Sequence, residues 1–477
     1  MQEKRSDSSA VPKNQVLVKP EKPSGFLDFL PGEFLAREAM LKTIDRVFRS
    51  YGYDPIETPI VEFSKVLTGE DETSKNIFAV SGQSRRSEEE PMSLRFDQTV
   101  PLARFVAANP YNANTKEGIK LPWRRMVLGP VFRGESAQKG RYRQFYQFDV
   151  DIVGASALIA DAEIVAIIYD TLQALGVKHF LIKINNRKIL NGLSELIGLV
   201  PRPQVSTDDV MKAVFRSLDK ISKIGLPAVL AELAEAPQND FDPRPGLDSR
   251  ALSKIQEYVS LEGDNEQKLA AAAAVFADSP IASEGIQELR DILILTQNLG
   301  VPAQRLLVDF TVARGLDYYT GPVMETVLTD APEYGSVFSG GRYNNLMERF
   351  TGQQLPAVGA SIGVDRLFAI LEHLGTLPAS KKTVSEVVII RIDRSLDSLY
   401  LSLARDIRAL GYNVEVCLLE DKTFKSQFNF ALSRGADYMV IVGSEEAARQ
   451  TVKIKNILTR QQTEIGVQDI SHYFPKK

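Results

Sequence analysis

The stretch Met126 to Val153, MVLGPVFRGESAQKGRYRQFYQFDVDIV, is two apolar segments around a polar loop, and the rest of the architecture is read outward from it. Met126 to Phe132 and Phe145 to Val153 are rich in Val, Phe, Ile and Tyr, residues that suit a pleated, half-buried surface. This pattern predicts an antiparallel hairpin. Its loop carries Phe132-Arg133-Gly134-Glu135, then Gln138, Lys139 and Gly140, then Arg141, Arg143 and Phe145. Arginine forks bind phosphate oxygens bidentately, a carboxylate accepts from an adenine amino group, and an aromatic face stacks on a base. One hairpin thus supplies every part of a nucleotide site. From Pro122 to Gln147 there are six basic residues against Glu135 alone, so positive charge is concentrated where phosphate would lie.

Upstream, a helical pattern runs from Pro31 through Phe34, Leu41, Ile44 and Phe48 to a turn at Gly52, and a β-rich piece follows from Ile56 to Val61. Leu94 to Val106 reads as a strand end entering a helix. Downstream, Ile164, Ile168, Leu172 and Leu175 mark an amphipathic helix stopped at Gly176, followed by a strand from Phe180 to Ile184. Residues 200–298 change character. Val200 to Asp291 holds ten basic and sixteen acidic residues, with an alanine run at Ala270 to Ala274 and breaks at Pro237, Pro243 and Pro245, which predicts a helical insertion. The β pattern resumes at Leu306 to Val312 and passes Met324 and Phe338. It reaches Gly359-Ala360-Ser361-Ile362-Gly363, which runs into a helix from Asp365 to Leu371.

Leu377 to Thr383 has linker composition. Beyond it, strands at Val387 to Ile392, Val414 to Leu419 and Tyr438 to Val442 alternate with two helices. The first helix presents Leu396, Leu399, Leu403, Ile407 and Leu410, capped by Ser395 and ended at Gly411; the second covers Phe424 to Leu432. Such alternation predicts a separate α/β domain with a parallel sheet covered on both sides.

Composition excludes several classes. At 477 residues the chain is long enough for two to four domains, with 44% hydrophobic and 25% charged residues, and no apolar run approaches the ~20 residues of a membrane span. The first twenty residues lack the apolar core of a signal peptide, so a soluble, cytoplasmic protein with a polar amino-terminal tail is expected. A single cysteine, Cys417, excludes an intrachain disulfide framework and a cysteine-rich metal site, and is expected in a buried strand. His179, His373 and His472 stand apart from one another, which argues against zinc. No Walker loop occurs. Gly359 to Gly363 matches the G-x-S-x-G elbow of α/β-hydrolases, with His472 downstream, but the upstream chain lacks the parallel sheet and oxyanion loop that elbow needs.

Three patterns together resemble a family. Gly52-Tyr53 with Ile56 and Pro59, the arginine hairpin, and Gly359 to Arg366 are similar to the three signature motifs of class II aminoacyl-tRNA synthetases, in order and across residues 25–375. Arg314-Gly315-Leu316-Asp317-Tyr318-Tyr319-Thr320-Gly321 and Ser339-Gly340-Gly341-Arg342-Tyr343 resemble the two histidine-specific peptides of the histidyl-tRNA synthetase family. Gly25 to Pro31 and Leu94 to Thr99 look like its amino-terminal segments.

The resemblance implies an α+β fold with a class II antiparallel-sheet catalytic domain at 25–199 and 299–376. To this it adds a tail at 1–24, a helical insertion at 200–298 and an α/β anticodon-binding domain at 384–477. It implies a ligase that activates L-histidine with ATP to histidyl-adenylate and transfers it to the 3′ end of tRNA(His). Asp97, Thr99 and Gln147 match positions that hold the substrate's α-amino group, and Gln98 belongs with them among the histidine-binding residues. Asp151 and Tyr319 match those gripping the imidazole, with Tyr318 and Tyr343 lining the same pocket. Arg133 and Arg314 match the catalytic pair on the α-phosphate and carboxylate. Glu135, Phe145 and Arg366 match the ATP clamp, and Arg141 and Arg143 would meet the β- and γ-phosphates.

The resemblance also implies Mg2+ carried with ATP and held by no dedicated protein ligands, a homodimer, and no membrane association. Asn344 stands where the family often has Asp, and Asp97 and Asp151 stand where many members have Glu. A non-catalytic regulatory paralogue of ATP phosphoribosyltransferase resembles the same catalytic fold but lacks the carboxy-terminal domain. A stress-sensing pseudo-synthetase would normally be fused to a kinase, and no kinase motif occurs here.

Overall fold

The computed structural model describes residues 18–68, 76–82, 90–136, 140–199, 202–313, 319–377, 381–420 and 423–477. One compact unit comprises the described residues up to Leu27 with Tyr51–Tyr169 and His179–Ala369; a second comprises Asp28–Ser50, Asp170–Lys178 and Ile370–Lys477.

The strands of the first unit are β1 (Asp54–Pro55), β2 (Val61–Phe63), β3 (Ala79–Val80), β4 (Met92–Leu94), β5 (Trp123–Phe132), β6 (Gln144–Val153), β7 (Phe180–Asn186), β8 (Leu306–Val308), β9 (Pro322–Leu328), β10 (Ser336–Tyr343) and β11 (Ala357–Gly363). Eight of them form one sheet in the order β1-β5-β6-β11-β10-β9-β7-β8, and β2-β4-β3 form a small second sheet. The large sheet is antiparallel except at its edges, where β1 runs parallel to β5 and β7 to β8. The expected hairpin is present and longer than the apolar run suggests, with partners from Trp123↔Val153 to Phe132↔Gln144. Backbone pairing extends beyond the side chains that signal it.

The helix predicted after Asp161 spans Ile159–Ala174, with Ile164, Ile168 and Leu172 fully buried, and Gly176 takes a left-handed φ of 74° at its end. The region 200–298 is helical, as its composition implies. Four of its helices start at side-chain caps: Ser206 accepts from Asp209 N, Asp248 from Ala251 N, Asp264 from Gln267 N and Ser279 from Ala282 N. The segment holding Pro237, Pro243 and Pro245 is the non-helical stretch between Ala234 and Ser249.

The second unit contains β12 (Val387–Ile389), β13 (Val414–Val416), β14 (Tyr438–Ile441), β15 (Thr451–Asn456) and β16 (Gln462–Gly466), ordered β13-β12-β14-β15-β16. β12 is parallel to both neighbours, but β14, β15 and β16 are antiparallel, so the expected all-parallel sheet is mixed. The β15–β16 hairpin gives little apolar signal because its strands alternate Thr451, Lys453 and Lys455 with Val452 and Ile454. Both faces of β12 are covered. Val387 and Ile389 pack with Tyr400, Leu403 and Ile407 of the helix Asp397–Ala409, whereas Val388 and Ile390 pack with Ala431 of the helix Phe424–Arg434.

Ser395 is not the cap of the first of these helices. A 3-10 turn, Arg394–Leu396, precedes it, and Asp393 accepts from Ser395 N. The Ser395 hydroxyl donates to the same Asp393 carboxylate, so it is turned away from the amides of the helix that follows. Cys417 is buried, one residue beyond β13, with its N–H donating to Ile389 O.

Candidate active site

Strand alternation puts Gln147, Asp149 and Asp151 of β6 on one face of the sheet. Their partners on β11 are Gly363, Ser361 and Gly359, and on β5 they are Gly129, Val127 and Arg125. Small residues on one neighbour leave room above the sheet for the polar side chains of the other. All three β6 side chains line a cavity of about 470 Å³, together with Asp97, Thr99, Tyr319 and Tyr343.

Arg125 has 0% of its side chain exposed, and its Nη2 lies 2.7 Å from Asp151 Oδ2. It also donates to Gln98 O at 3.3 Å. The Tyr343 hydroxyl donates to Asp151 Oδ1 at 2.5 Å, and burial together with Asp151 holds that phenol well above its usual range. Asp97 Oδ1 accepts from Val100 N at 3.2 Å, tying the carboxylate to the start of the helix Thr99–Ala108. Its Oδ2 is buried with no hydrogen-bond partner among the described residues.

Burial pushes the Asp97 carboxyl up to about 6 against the pull of the Val100 N–H, Arg133 and Arg125. Burial likewise pushes Asp149 up to about 7, opposed chiefly by Arg125. Asp151 is raised by burial and lowered by Arg125 and Tyr343. Gln147 Nε2 donates to Ser361 Oγ at 2.8 Å, and its Oε1 has no partner among the described residues.

Three buried carboxylates beside the buried Arg125 guanidinium, with acceptors unmatched among the described residues at Asp97 Oδ2, Gln147 Oε1 and Asp149 Oδ1, can receive a cation that carries N–H donors. Leaving such acceptors unmatched costs ~1–3 kcal/mol each, and a bound ammonium group removes that penalty.

Other residues of the wall suit an anion and a flat ring. Arg133 Nε donates to Phe96 O at 3.1 Å, and its guanidinium sits 5.2 Å from the centroid of the Phe145 ring. Arg366 donates from Nε to Gly140 O at 3.2 Å and from Nη1 to Ser336 O at 2.6 Å, joining the hairpin loop to β10. Asp365 Oδ2 accepts from Tyr146 N at 2.7 Å, which fixes the start of the helix Val364–His373 against β6. Glu135, Arg141, Phe145 and Arg366 all line the cavity.

The cavity thus combines buried carboxylate acceptors with arginine and aromatic side chains on one largely antiparallel sheet. A sequence model of the histidyl-tRNA synthetase family matches residues 25–367, and one of an anticodon binding domain matches residues 386–477. The chain belongs to the histidyl-tRNA synthetase family. It is 38% identical over 449 residues to the histidine–tRNA ligase of Wolinella succinogenes, covering 93% of this chain and 95% of that protein. The crystal structure of histidyl-tRNA synthetase from Nostoc sp. PCC 7120 superposes with a TM-score of 0.77 at 32% identity, covering 96% of this chain and 100% of that one. A solved structure from Bacillus halodurans C, titled as an ATP phosphoribosyltransferase regulatory subunit/histidyl-tRNA synthetase, shares the fold at a TM-score of 0.67 and 22% identity.

Not every residue suggested by the histidyl-tRNA synthetase resemblance reaches the cavity. Gln98 is 1% exposed and absent from the wall; its Nε2 donates to Gln147 O at 2.9 Å, so it supports Gln147 from behind. Arg143 is also absent from the wall. Its guanidinium lies 4.9 Å from the Phe78 ring centroid and its stem packs under Gly25, where a Cβ would meet Arg143 Cγ at 2.6 Å. Arg342 of the second histidine-specific peptide is buried against Asp161, with contacts of 3.0 and 2.5 Å, and serves the core. Arg314, Tyr318, Gln138 and Lys139 lie outside the described residues.

Conversely, Arg125, Asp149 and Ser361 belong to the site, and Asp219 and Lys223 of the helical region reach its wall. The spacing from Gln147 to Asp151 passes through Asp149 at the same parity, and that is the signal that could have found it. Nothing local marks Asp219 or Lys223.

Proposed function

We infer that the chain is a histidine–tRNA ligase. The observation that carries this reading is that unmatched acceptors, Asp97 Oδ2 and Gln147 Oε1 among them, lie in the same cavity as Arg133. The α-ammonium group of L-histidine fits the acceptors, and its carboxylate then lies toward Arg133. The imidazole meets Asp151, Tyr319 and Tyr343; Asp151 retains lone pairs beyond those used by Arg125 and Tyr343.

The carboxylate attacks the α-phosphorus of ATP, pyrophosphate leaves, and the terminal ribose hydroxyl of tRNA(His) then attacks the adenylate carbonyl and releases AMP. No protein nucleophile is needed. Catalysis comes from positioning and from cationic stabilisation of charge developing on the α-phosphate by Arg133 and Arg314. Glu135, Phe145 and Arg366 hold the adenine and phosphates, with Arg141 toward the outer phosphates. Mg2+ would travel with the ATP phosphates, with no dedicated protein ligands required.

The domain at 384–477 takes the anticodon of tRNA(His), and its presence separates this reading from a regulatory paralogue without that domain. A homodimer accounts for the apolar side chains that the helix Pro31–Ser50 and its approach expose, Leu30 at 70% and Phe34 at 52%. None of the described helices is long and apolar enough to cross a membrane, which accords with a cytoplasmic ligase.

Pyrophosphate exchange assayed with each of the twenty amino acids tests the activity. Histidine alone should stimulate exchange, and equal stimulation by any other amino acid overturns the assignment. Sedimentation at micromolar concentration should give a dimer.

A further inference from the structure

One contact between the helical region and the catalytic sheet runs through Arg187, the first residue after β7. Its N–H donates to Gly321 O at 2.8 Å, just beyond Tyr319, and its guanidinium lies 4.2 Å from the ring centroid of Phe215. Phe215 is buried in the helix Thr207–Leu218, so a cation–π contact joins that helix to the end of β7. The chain leaving the helix brings Asp219, and then Lys223 of the short helix Ile221–Ile224, to the wall of the active-site cavity.

We propose that Lys223 binds the outer phosphates of ATP, and hence the pyrophosphate that leaves. The proposal rests on the ligase reading above and extends it.

Charge and reach carry the assignment. Among the described residues the wall holds four basic side chains, Arg133, Arg141, Lys223 and Arg366, against six acidic ones. A triphosphate is repelled from such a site unless cations face its charge. Arg143, expected at the outer phosphates, turns to Phe78 and is absent from the wall. Arg133 is held to Phe96 O beside the Phe145 ring, and Arg366 bridges Gly140 O and Ser336 O. Arg141 and Lys223 are the two exposed cations of the four, and a long exposed side chain can turn to a phosphate as it arrives. An ammonium is a compact point charge on a flexible stem, which suits terminal phosphate oxygens that depart during the reaction. Lys223 thus takes the place beside Arg141 that Arg143 leaves.

Steady-state exchange kinetics of the full-length protein test this. Lys223→Met should raise KM for ATP and for pyrophosphate about 10-fold, as expected from losing one charge-assisted contact, with KM for histidine within about twofold. AMP keeps the adenine, ribose and α-phosphate but lacks the outer phosphates, so its inhibition constant should stay within about twofold of the parent value. Lys223→Arg keeps the charge and should bring both KM values back to within about threefold of the parent. Unchanged KM values in Lys223→Met, an AMP constant that rises as much as KM for ATP, or no rescue by arginine overturns the proposal. A loss confined to KM for tRNA(His) in aminoacylation also overturns it and assigns Lys223 to the nucleic-acid backbone. Failure of the unaltered protein to exchange with histidine would overturn the functional reading instead, so the two failures are distinguishable.

Discussion

Asp151 and Gly359 are register partners across β6 and β11, and a Cβ on residue 359 would stand 2.0 Å from Asp151 Oδ1. The glycine is required by proximity, since real Cβ atoms do not come that close to another heavy atom. Asp151 cannot yield without cost, because its two oxygens are engaged by Tyr343 and Arg125. Gly359→Ala should therefore displace the carboxylate and raise KM for histidine at least ~10-fold, since misplacement by about 1 Å can cost 10²-fold in a preorganised site. Exchange kinetics indistinguishable from the parent protein would show that the side chain relaxes harmlessly.

Arg125 is the buried cation among Asp97, Asp149 and Asp151. Arg125→Met should destabilise the fold by about 3–5 kcal/mol, because it leaves buried carboxylates without their counter-charge. Urea unfolding measures the loss, which should shrink at pH 5.5 relative to pH 8 as the carboxylates take up protons. A loss below about 1 kcal/mol, as for a surface ion pair, would contradict the arrangement.

Asp149 predicts a pH dependence with a definite sign. Its carboxyl is raised from an ordinary 3.8 to about 7 in the fold, so its contribution to stability is complete below the unfolded value and is lost as pH rises through about 7. Asp149→Asn removes that titration. The melting temperature of the variant relative to the parent should therefore be higher at pH 8 than at pH 5, and the reverse trend would show that the folded protein favours the charged form.

Arg314→Ala should lower the rate of adenylate formation at least ~10²-fold, because a cation on the α-phosphate contributes most when charge develops there. Pre-steady-state adenylate formation measures it. A rise in KM for histidine with unchanged turnover would assign Arg314 to ground-state binding.

The elements that sequence could place are those written in local periodicity. The β5–β6 hairpin, the strand from Ala357 to Gly363 and the helix Val364–His373 follow from apolar runs and glycine spacing within a few residues. The β15–β16 hairpin was missed because β15 alternates over only six residues and β16, Gln462–Gly466, carries Ile465 as its one large apolar residue. The Ser395 cap was misread because its hydroxyl donates to the neighbouring Asp393 carboxylate instead of accepting from a helix amide.

In the site, Arg133, Glu135 and Phe145 could be read from the chemistry of the hairpin and Arg366 from its strand-to-helix junction, whereas Gln147 and Asp151 were named only through the family resemblance. Which of their neighbours share the cavity was settled by pairings over long sequence separations. Arg125 meets Asp151 across one strand pair and Tyr343 meets it from 192 residues away, while Arg143 turns to Phe78 and leaves the cavity wall. Local spacing records the direction in which a side chain leaves the backbone. Burial, charge compensation and the orientation of the Gln147 amide depend on atoms brought together by sheet register, and these exist only once the strands have paired.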